Sequence, residues 1–189
     1  MYQIYNMGTK ESIINIADDL IRGQGFNAFS FKDISNTIGI KTASIHYHFP
    51  TKSDLGVAIL KKHIEQFEAL KLSVASKSPM VKLERFLSIY SKMKSEGKIC
   101  LIGSLISDLN TIDENIKTEL GVLTKKLLAW ITEILEEGKR KAIFHFKVAP
   151  RAKALMILTN IVAIVQLSRL TNDDDFTIVK NTIIKELKP

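Results

Sequence analysis

The sequence has little cysteine, proline or glycine: one, four and nine residues in 189. A single cysteine cannot close an internal disulfide or frame a cysteine-ligated zinc site, and it suits a reducing compartment. So few prolines and glycines exclude collagen-like and linker-rich chains. Long apolar runs are also missing, since none approaches the roughly 20 residues that a bilayer span needs. The longest candidate, Leu155 to Leu170, is interrupted by Thr159, Asn160, Gln166, Ser168 and Arg169. No basic segment followed by an apolar stretch opens the chain, so no secretory signal is expected. The expectation is a soluble cytoplasmic protein with no membrane partner.

What is present is ordinary for a globular chain: 46% hydrophobic and 25% charged residues. The formal net charge of +7 favours an anionic partner such as nucleic acid. Charge alone does not locate the surface. Residues 1–52 carry five Lys/Arg against four Asp/Glu, so most of the excess lies further along.

Apolar residues recur three or four apart almost everywhere, and alternating Val-rich runs are absent, so the chain reads as all-α. A first helix is expected over Lys10 to Arg22, capped by Thr9 and ended by Gly23 and Gly25. A second spans about Phe31 to Ile38, opened by the box Ser30 to Asp33 and broken by Gly39. A third runs from Thr42 to His48 and stops at Pro50. Ser53 is expected to cap a helix over residues 53–72. Lys71 to Ser78, small, polar and basic, reads as a boundary, with Pro79 suited to a helical first turn. Further helices follow to Glu96, over Leu101 to Leu109, and from a box at Thr111 to Glu114 as far as about Glu137. The last two are expected over Pro150 to Leu170 and Phe176 to Leu187.

Residues 31–49 have the pattern of a helix-turn-helix. In its second helix Ile45 and Phe49 are four apart and share a buried face. Ala43 and Tyr47 then point the opposite way, with Ser44 and His46 on the flanks. That outer face is small, hydroxylated and aromatic, with no aliphatic stripe and no acid, so it can enter a major groove and hydrogen-bond base edges and phosphates. Lys41 and Thr42 stand at the helix N-terminus, where free N–H groups favour a phosphate. Lys52 follows as a further cation.

The run Ser30-Phe-Lys-Asp-Ile-Ser, then Gly39-Ile, then Thr42-Ala-Ser-Ile-His-Tyr-His-Phe-Pro-Thr-Lys-Ser-Asp-Leu55 resembles the DNA-binding domain of TetR/AcrR-type transcriptional regulators. The resemblance covers roughly residues 9–56. It implies a DNA-reading domain over 1–52 and a ligand-binding and dimerisation domain over 53–189, joined by a connecting helix at 53–72. It implies double-stranded DNA bearing a palindromic operator as partner, a small-molecule effector, a homodimer, and no cofactor. Carried over by position, the expected DNA-binding set is Ser30, Lys41, Thr42, Ser44, His46, Tyr47, His48 and Lys52. His46 stands where the family usually has a phosphate-contacting tyrosine, and Tyr47 lies one place later.

The body helices carry broad apolar faces that are expected to form core, and some residues are expected to line a pocket: Phe86, Tyr90, Met93, Cys100, Ser104, Leu123, Leu127 and Trp130. No charge cluster accompanies them, so a hydrophobic or aromatic effector is expected. Lys98 and a helix start beside Cys100 would lower a thiol pKa, although a buried inert thiol is the commoner state. Leu155, Leu158, Ile161, Val162, Val165 and Leu170, with Ile178, Ile183 and Leu187, give the last two helices more apolar surface than one subunit can cover, which predicts a homodimer with Leu155, Leu158, Val162, Val165, Ile178 and Ile183 at its interface. A catalytic reading finds no support: there is no nucleophile triad, no Gly-rich phosphate loop and no HExxH motif, and His46 and His48 diverge too far to share a metal. The rival reading is an all-helical interaction protein of the same fold without sequence-specific DNA binding.

Overall fold

The computed structural model describes residues 8–188, so the expected domain limits at residues 1 and 189 lie outside the described residues. Among them the order is α1 (Thr9–Gln24), α2 (Phe31–Ile38), α3 (Thr42–His48), α4 (Lys52–Ser73), α5 (Pro79–Ser95), α6 (Leu101–Ser107), α7 (Glu114–Arg140), α8 (Pro150–Leu167) and α9 (Asp175–Lys185), with no strand. They pack as two compact units. The first holds residues 8–66 and 104–123, the second 67–103 and 124–188.

In the first unit, α1 contributes Ile13, Ala17 and Ile21 to a core shared with Ile34 of α2, Ile45 of α3, and Leu55 and Ile59 of α4, all 0–1% exposed. Each Ile or Leu side chain among them contributes about 1.5–3 kcal/mol by leaving water. Gly39 ends α2 with φ +71°, a left-handed conformation that glycine adopts without steric cost. Gly56 is needed for a different reason. A Cβ there would come 2.9 Å from Ile116 Cδ1 and 3.1 Å from Phe26 Cε2, so its absence lets α4 and α7 approach. His63 Nε2 of α4 meets Asp18 Oδ1 of α1 at 2.8 Å, with Arg22 Nη1 3.3 Å from the other carboxylate oxygen. Burial opposes ionisation of Asp18, but the His63 hydrogen bond and the electrostatic contacts with His63 and Arg22 outweigh it and hold its pKa below the usual value.

In the second unit, Leu83, Phe86, Leu87 and Tyr90 of α5, Ile131, Ile134 and Leu135 of α7, and Ala154, Ile157, Ile161 and Val165 of α8 are buried. The rings of Phe67 and Trp130 meet edge-on at 5.4 Å, and those of Phe86 and Tyr90 at 5.2 Å. The Phe144 ring covers Gly138, where any Cβ would stand 1.9 Å from Cδ2. Lys82 and Lys141 both hold the Glu137 carboxylate, at 2.8 and 2.7 Å. Their hydrogen bonds, Lys141's foremost, lower its pKa to about 2.

Several helix ends differ from expectation. Gly8, not Thr9, precedes α1, and Gly23 lies inside it. Thr51 caps α4 by a reciprocal pair: its N–H and hydroxyl donate to Asp54 Oδ2, and the Asp54 N–H donates back to Thr51 Oγ1. Ser53 is buried instead and donates to Asn115 Oδ1 at 2.7 Å. The box expected at Thr111 is absent because that hydroxyl donates to the Asp108 carbonyl and accepts from Asn27 Nδ2. At Ser53 and Thr111 a tertiary partner takes the hydroxyl that local spacing assigns to a cap. α8, with 18 residues and a mean hydropathy of 1.3, is the described helix long and apolar enough to cross a membrane. One of its faces is the core face of the second unit.

Candidate nucleic-acid interface

The site grows from the tight turn at Gly39. The α2 N-terminus is fixed by Ser30, whose N–H and hydroxyl both donate to Asp33 Oδ2 at 2.7 Å. Those two bonds, the hydroxyl's first, hold the Asp33 pKa below its usual value. The Gly39 N–H returns to the Ser35 carbonyl, and Lys41 then enters α3 in an extended conformation.

α3 divides as its spacing requires. Ile45 is 0% and Phe49 3% exposed, whereas Tyr47 is 84% exposed. Lys41, Ala43 and His46 are exposed as well, and Thr42, Ser44 and His48 are half-buried. Thr9 of α1 and Ile40 flank a concave surface with Ala43, Ser44, Tyr47 and His48 of α3. Sequence reasoning missed Thr9 and Ile40 there: the packing of α1 beside α3 brings Thr9 to this face, and Ile40 immediately precedes the cap of α3. The His46 ring meets Phe31 edge-on at 4.9 Å, and its Nδ1 lies 3.3 Å from the Pro50 carbonyl oxygen. The Tyr47 and His48 rings touch at 5.1 Å. The Thr42 hydroxyl reaches Ser35 Oγ at 3.3 Å, so it is partly engaged within the motif.

Lys52 departs from expectation. Its ammonium donates to the Phe29 carbonyl and sits over the rings of Phe29 and Phe26, 4.1 and 4.7 Å from their centres. Burial lowers its pKa, against the opposing pull of Asp108 and Asp33. The cation that follows the recognition helix therefore braces the aromatic core of the first unit instead of extending into solvent. Asp108 completes that brace, accepting from the Phe26 N–H and Asn27 Nδ2 at 3.0 Å each.

The residues expected to line an effector pocket fall in both units. Phe86, Tyr90, Cys100, Leu127 and Trp130 are buried in the second, with Met93 half-buried. Burial raises the Tyr90 phenol pKa well above its usual value, helped by a contact and hydrogen bond with the Cys100 thiol. Leu123 and Ser104 are buried in the first unit, where the Ser104 hydroxyl donates to the Ile21 carbonyl at 3.0 Å.

The expected dimer residues also separate. Leu158 and Val165, at 8% and 1% exposure, point into the subunit's own core and are not available to a partner. Val162 is half-buried, and Ile183 is buried at the floor of an α8/α9 groove whose walls include Ile164 and Val179. Leu155, Leu170 and Ile178 are open, together with Met156 and Leu167, which sequence spacing left out; Ile161 and Leu187 are buried in the subunit's own core.

A helix-turn-helix whose second helix holds Ile45 inward and Tyr47 outward, among described residues that are otherwise helices and loops, has the arrangement of a DNA-reading regulator. Residues 13–59 match the family described as Bacterial regulatory proteins, tetR family. A TetR transcriptional regulator from Legionella pneumophila is 33% identical and superposes with a TM-score of 0.86, the alignment covering 96% of this chain and 98% of that one. An uncharacterised HTH-type transcriptional regulator in the lacX 3′ region of Lactococcus lactis subsp. lactis is 26% identical over 140 residues, 70% of this chain and 71% of the relative. The HTH-type transcriptional repressor NemR of Escherichia coli K12 is 20% identical over 155 residues, 79% of this chain and 78% of the repressor. The chain belongs to the TetR family of transcriptional regulators.

Proposed function

We propose that this regulator is a cytoplasmic repressor that binds a palindromic operator as a homodimer and is released by a small hydrophobic or aromatic effector. Residues 1–52 read DNA, 53–72 connect, and the remainder to 189 binds effector and partner. The observation that carries the reading is the division of α3, with Tyr47 fully outward while Ile45 and Phe49 anchor the helix from behind. Ser44, Tyr47 and the exposed Lys41 are its principal DNA contacts, with Thr42, His46 and His48 at the margins and Ser30 able to offer only acceptor capacity while it holds Asp33.

The open residues Leu155, Met156, Leu167, Leu170 and Ile178 support a partner surface on α8 and α9. Two copies related by a two-fold axis would set their recognition helices roughly 34 Å apart, one turn of DNA. The apolar side chains of Phe86, Met93 and Trp130 support an apolar effector. An effector acts only through its differential affinity for the two states of the body, which is all that release requires. The test is selection of bound fragments from a random duplex pool, followed by footprinting. A symmetric site whose binding weakens about tenfold on Tyr47→Ala is the expected result. Uniform, sequence-blind retention would favour an interaction protein that keeps the fold without reading DNA.

A further inference from the structure

One end of the second unit carries cations that no acid answers. Residues 139–153 include six Lys/Arg and one His, with no Asp or Glu. The His145 N–H donates to the Leu187 carbonyl at 2.9 Å, and Lys153 Nζ meets Glu186 Oε2 at 2.8 Å. These links draw together the end of α7, the loop after it, the start of α8 and the end of α9. Glu137 engages Lys141, and Glu186 engages Lys153. Lys139, Arg140, Lys147, Arg151, Lys185 and Lys188 remain exposed, with no ion pair among the described residues. Glu136, four residues before Arg140, forms none with it.

Helix electrostatics account for only part of this cluster. Cations at the ends of α7 and α9 meet the negative dipole end. Arg151 lies in the first turn of α8, where the dipole disfavours a cation, and Lys147 lies in the loop. Like charges gathered this way repel each other in the free protein and are relieved by a polyanion.

The side chains around the cations indicate which polyanion. Residues 139–153 contain no Ser, Thr, Asn or Gln, so the polar side chains there are Lys, Arg and His, which suit phosphate oxygens foremost. An apolar wedge for a lipid surface is lacking as well. Phe144 is 1% exposed against Gly138, and Phe146 lies under the Lys139 ammonium at 5.2 Å, which leaves Val148 as the open apolar side chain of the loop.

We propose that this end of the second unit is a sequence-indifferent binding surface for the phosphate backbone of duplex DNA, distinct from the recognition helix.

The experiment measures affinity of the full chain for a duplex of scrambled sequence between about 50 and 200 mM salt. The test variant combines Lys139→Gln, Arg140→Gln, Lys147→Gln and Arg151→Gln. Each lost phosphate contact lowers the slope of log affinity against log salt by about 0.9, so a slope reduced by about 2–3 and affinity at least tenfold weaker at low salt are expected. Tyr47→Ala should change that slope by less than about one, which separates this surface from operator reading. The double variant Lys147→Gln, Arg151→Gln, confined to the loop and the first turn of α8, should give about half the effect with an unchanged melting temperature. An unchanged slope and affinity overturn the proposal. So does retention on phosphatidylserine vesicles that the substitutions abolish while duplex affinity holds.

Discussion

The Lys52 ammonium stands 4.1 Å from the centre of the Phe29 ring and donates to the Phe29 backbone carbonyl. A cation in that position serves the fold before it serves a ligand. Lys52→Ala removes a charge-assisted hydrogen bond and two ring contacts, together worth about 1–2 kcal/mol. Urea unfolding should register that loss, while operator affinity per folded molecule changes by less than about threefold. A tenfold loss of affinity at unchanged stability would mean that Lys52 reaches phosphate after all.

Tyr47 has the opposite signature. Its ring touches His48 and otherwise faces solvent. Tyr47→Ala should leave stability within about 0.5 kcal/mol. Operator binding should weaken about tenfold, or 1.4 kcal/mol. Fluorescence anisotropy and a thermal melt on the same sample check both parts.

Gly138→Ala sets propensity against packing. In an exposed helix interior, alanine is preferred to glycine by about 1 kcal/mol. Here the new methyl would meet the Phe144 ring at 1.9 Å, and that ring is 1% exposed with no open side to move into. A net loss of about 1–3 kcal/mol is expected from denaturant unfolding, partly restored by Phe144→Leu. A stabilised Gly138→Ala protein would show that the loop after α7 yields easily.

Glu137 makes stability sensitive to acid. Its pKa is about 2 in the folded protein, because Lys141 and Lys82 hydrogen-bond the carboxylate, against an ordinary 4.5. The unfolded chain therefore takes up the proton first as pH falls. The contribution is complete above about 4.5, declines through the window and is gone below about 2. Glu137→Gln should flatten this part of the pH profile of the melting temperature, and an unchanged profile would show that the pair of lysines does not hold the anion in solution.

Ile178 is 58% exposed on α9 beside the α8/α9 groove. Ile178→Glu places a charge on the proposed partner face without touching the subunit core. Light scattering at micromolar concentration should show a dimer for the wild type and a monomer for the variant, with the helical content of both alike. A wild-type monomer would remove this surface from the proposal.

The order and type of the helices, the break at Gly39 and the division of α3 were legible along the chain. All of these depend on local spacing: a 100° step per residue puts Ile45 and Phe49 on one side and Tyr47 on the other. The residues Ser30 to Leu55 also carried the family, because that motif is contiguous. Caps were less legible. Ser53 and Thr111 each have the chemistry of a cap, but a hydroxyl goes to whichever acceptor or donor the fold brings within reach.

The sequence by itself thus determined an all-helical regulator with one polar recognition face. Only the tertiary structure decided that Lys52 turns inward onto Phe26 and Phe29, that Leu158 and Val165 belong to the subunit's own core, and that Thr9 borders the recognition helix. The physical reason is reach. Periodicity fixes which side of its own helix a residue occupies, whereas the partner waiting on that side comes from chain segments tens of residues away. A lysine's long stem can join an aromatic core or a phosphate equally well until those segments are in place.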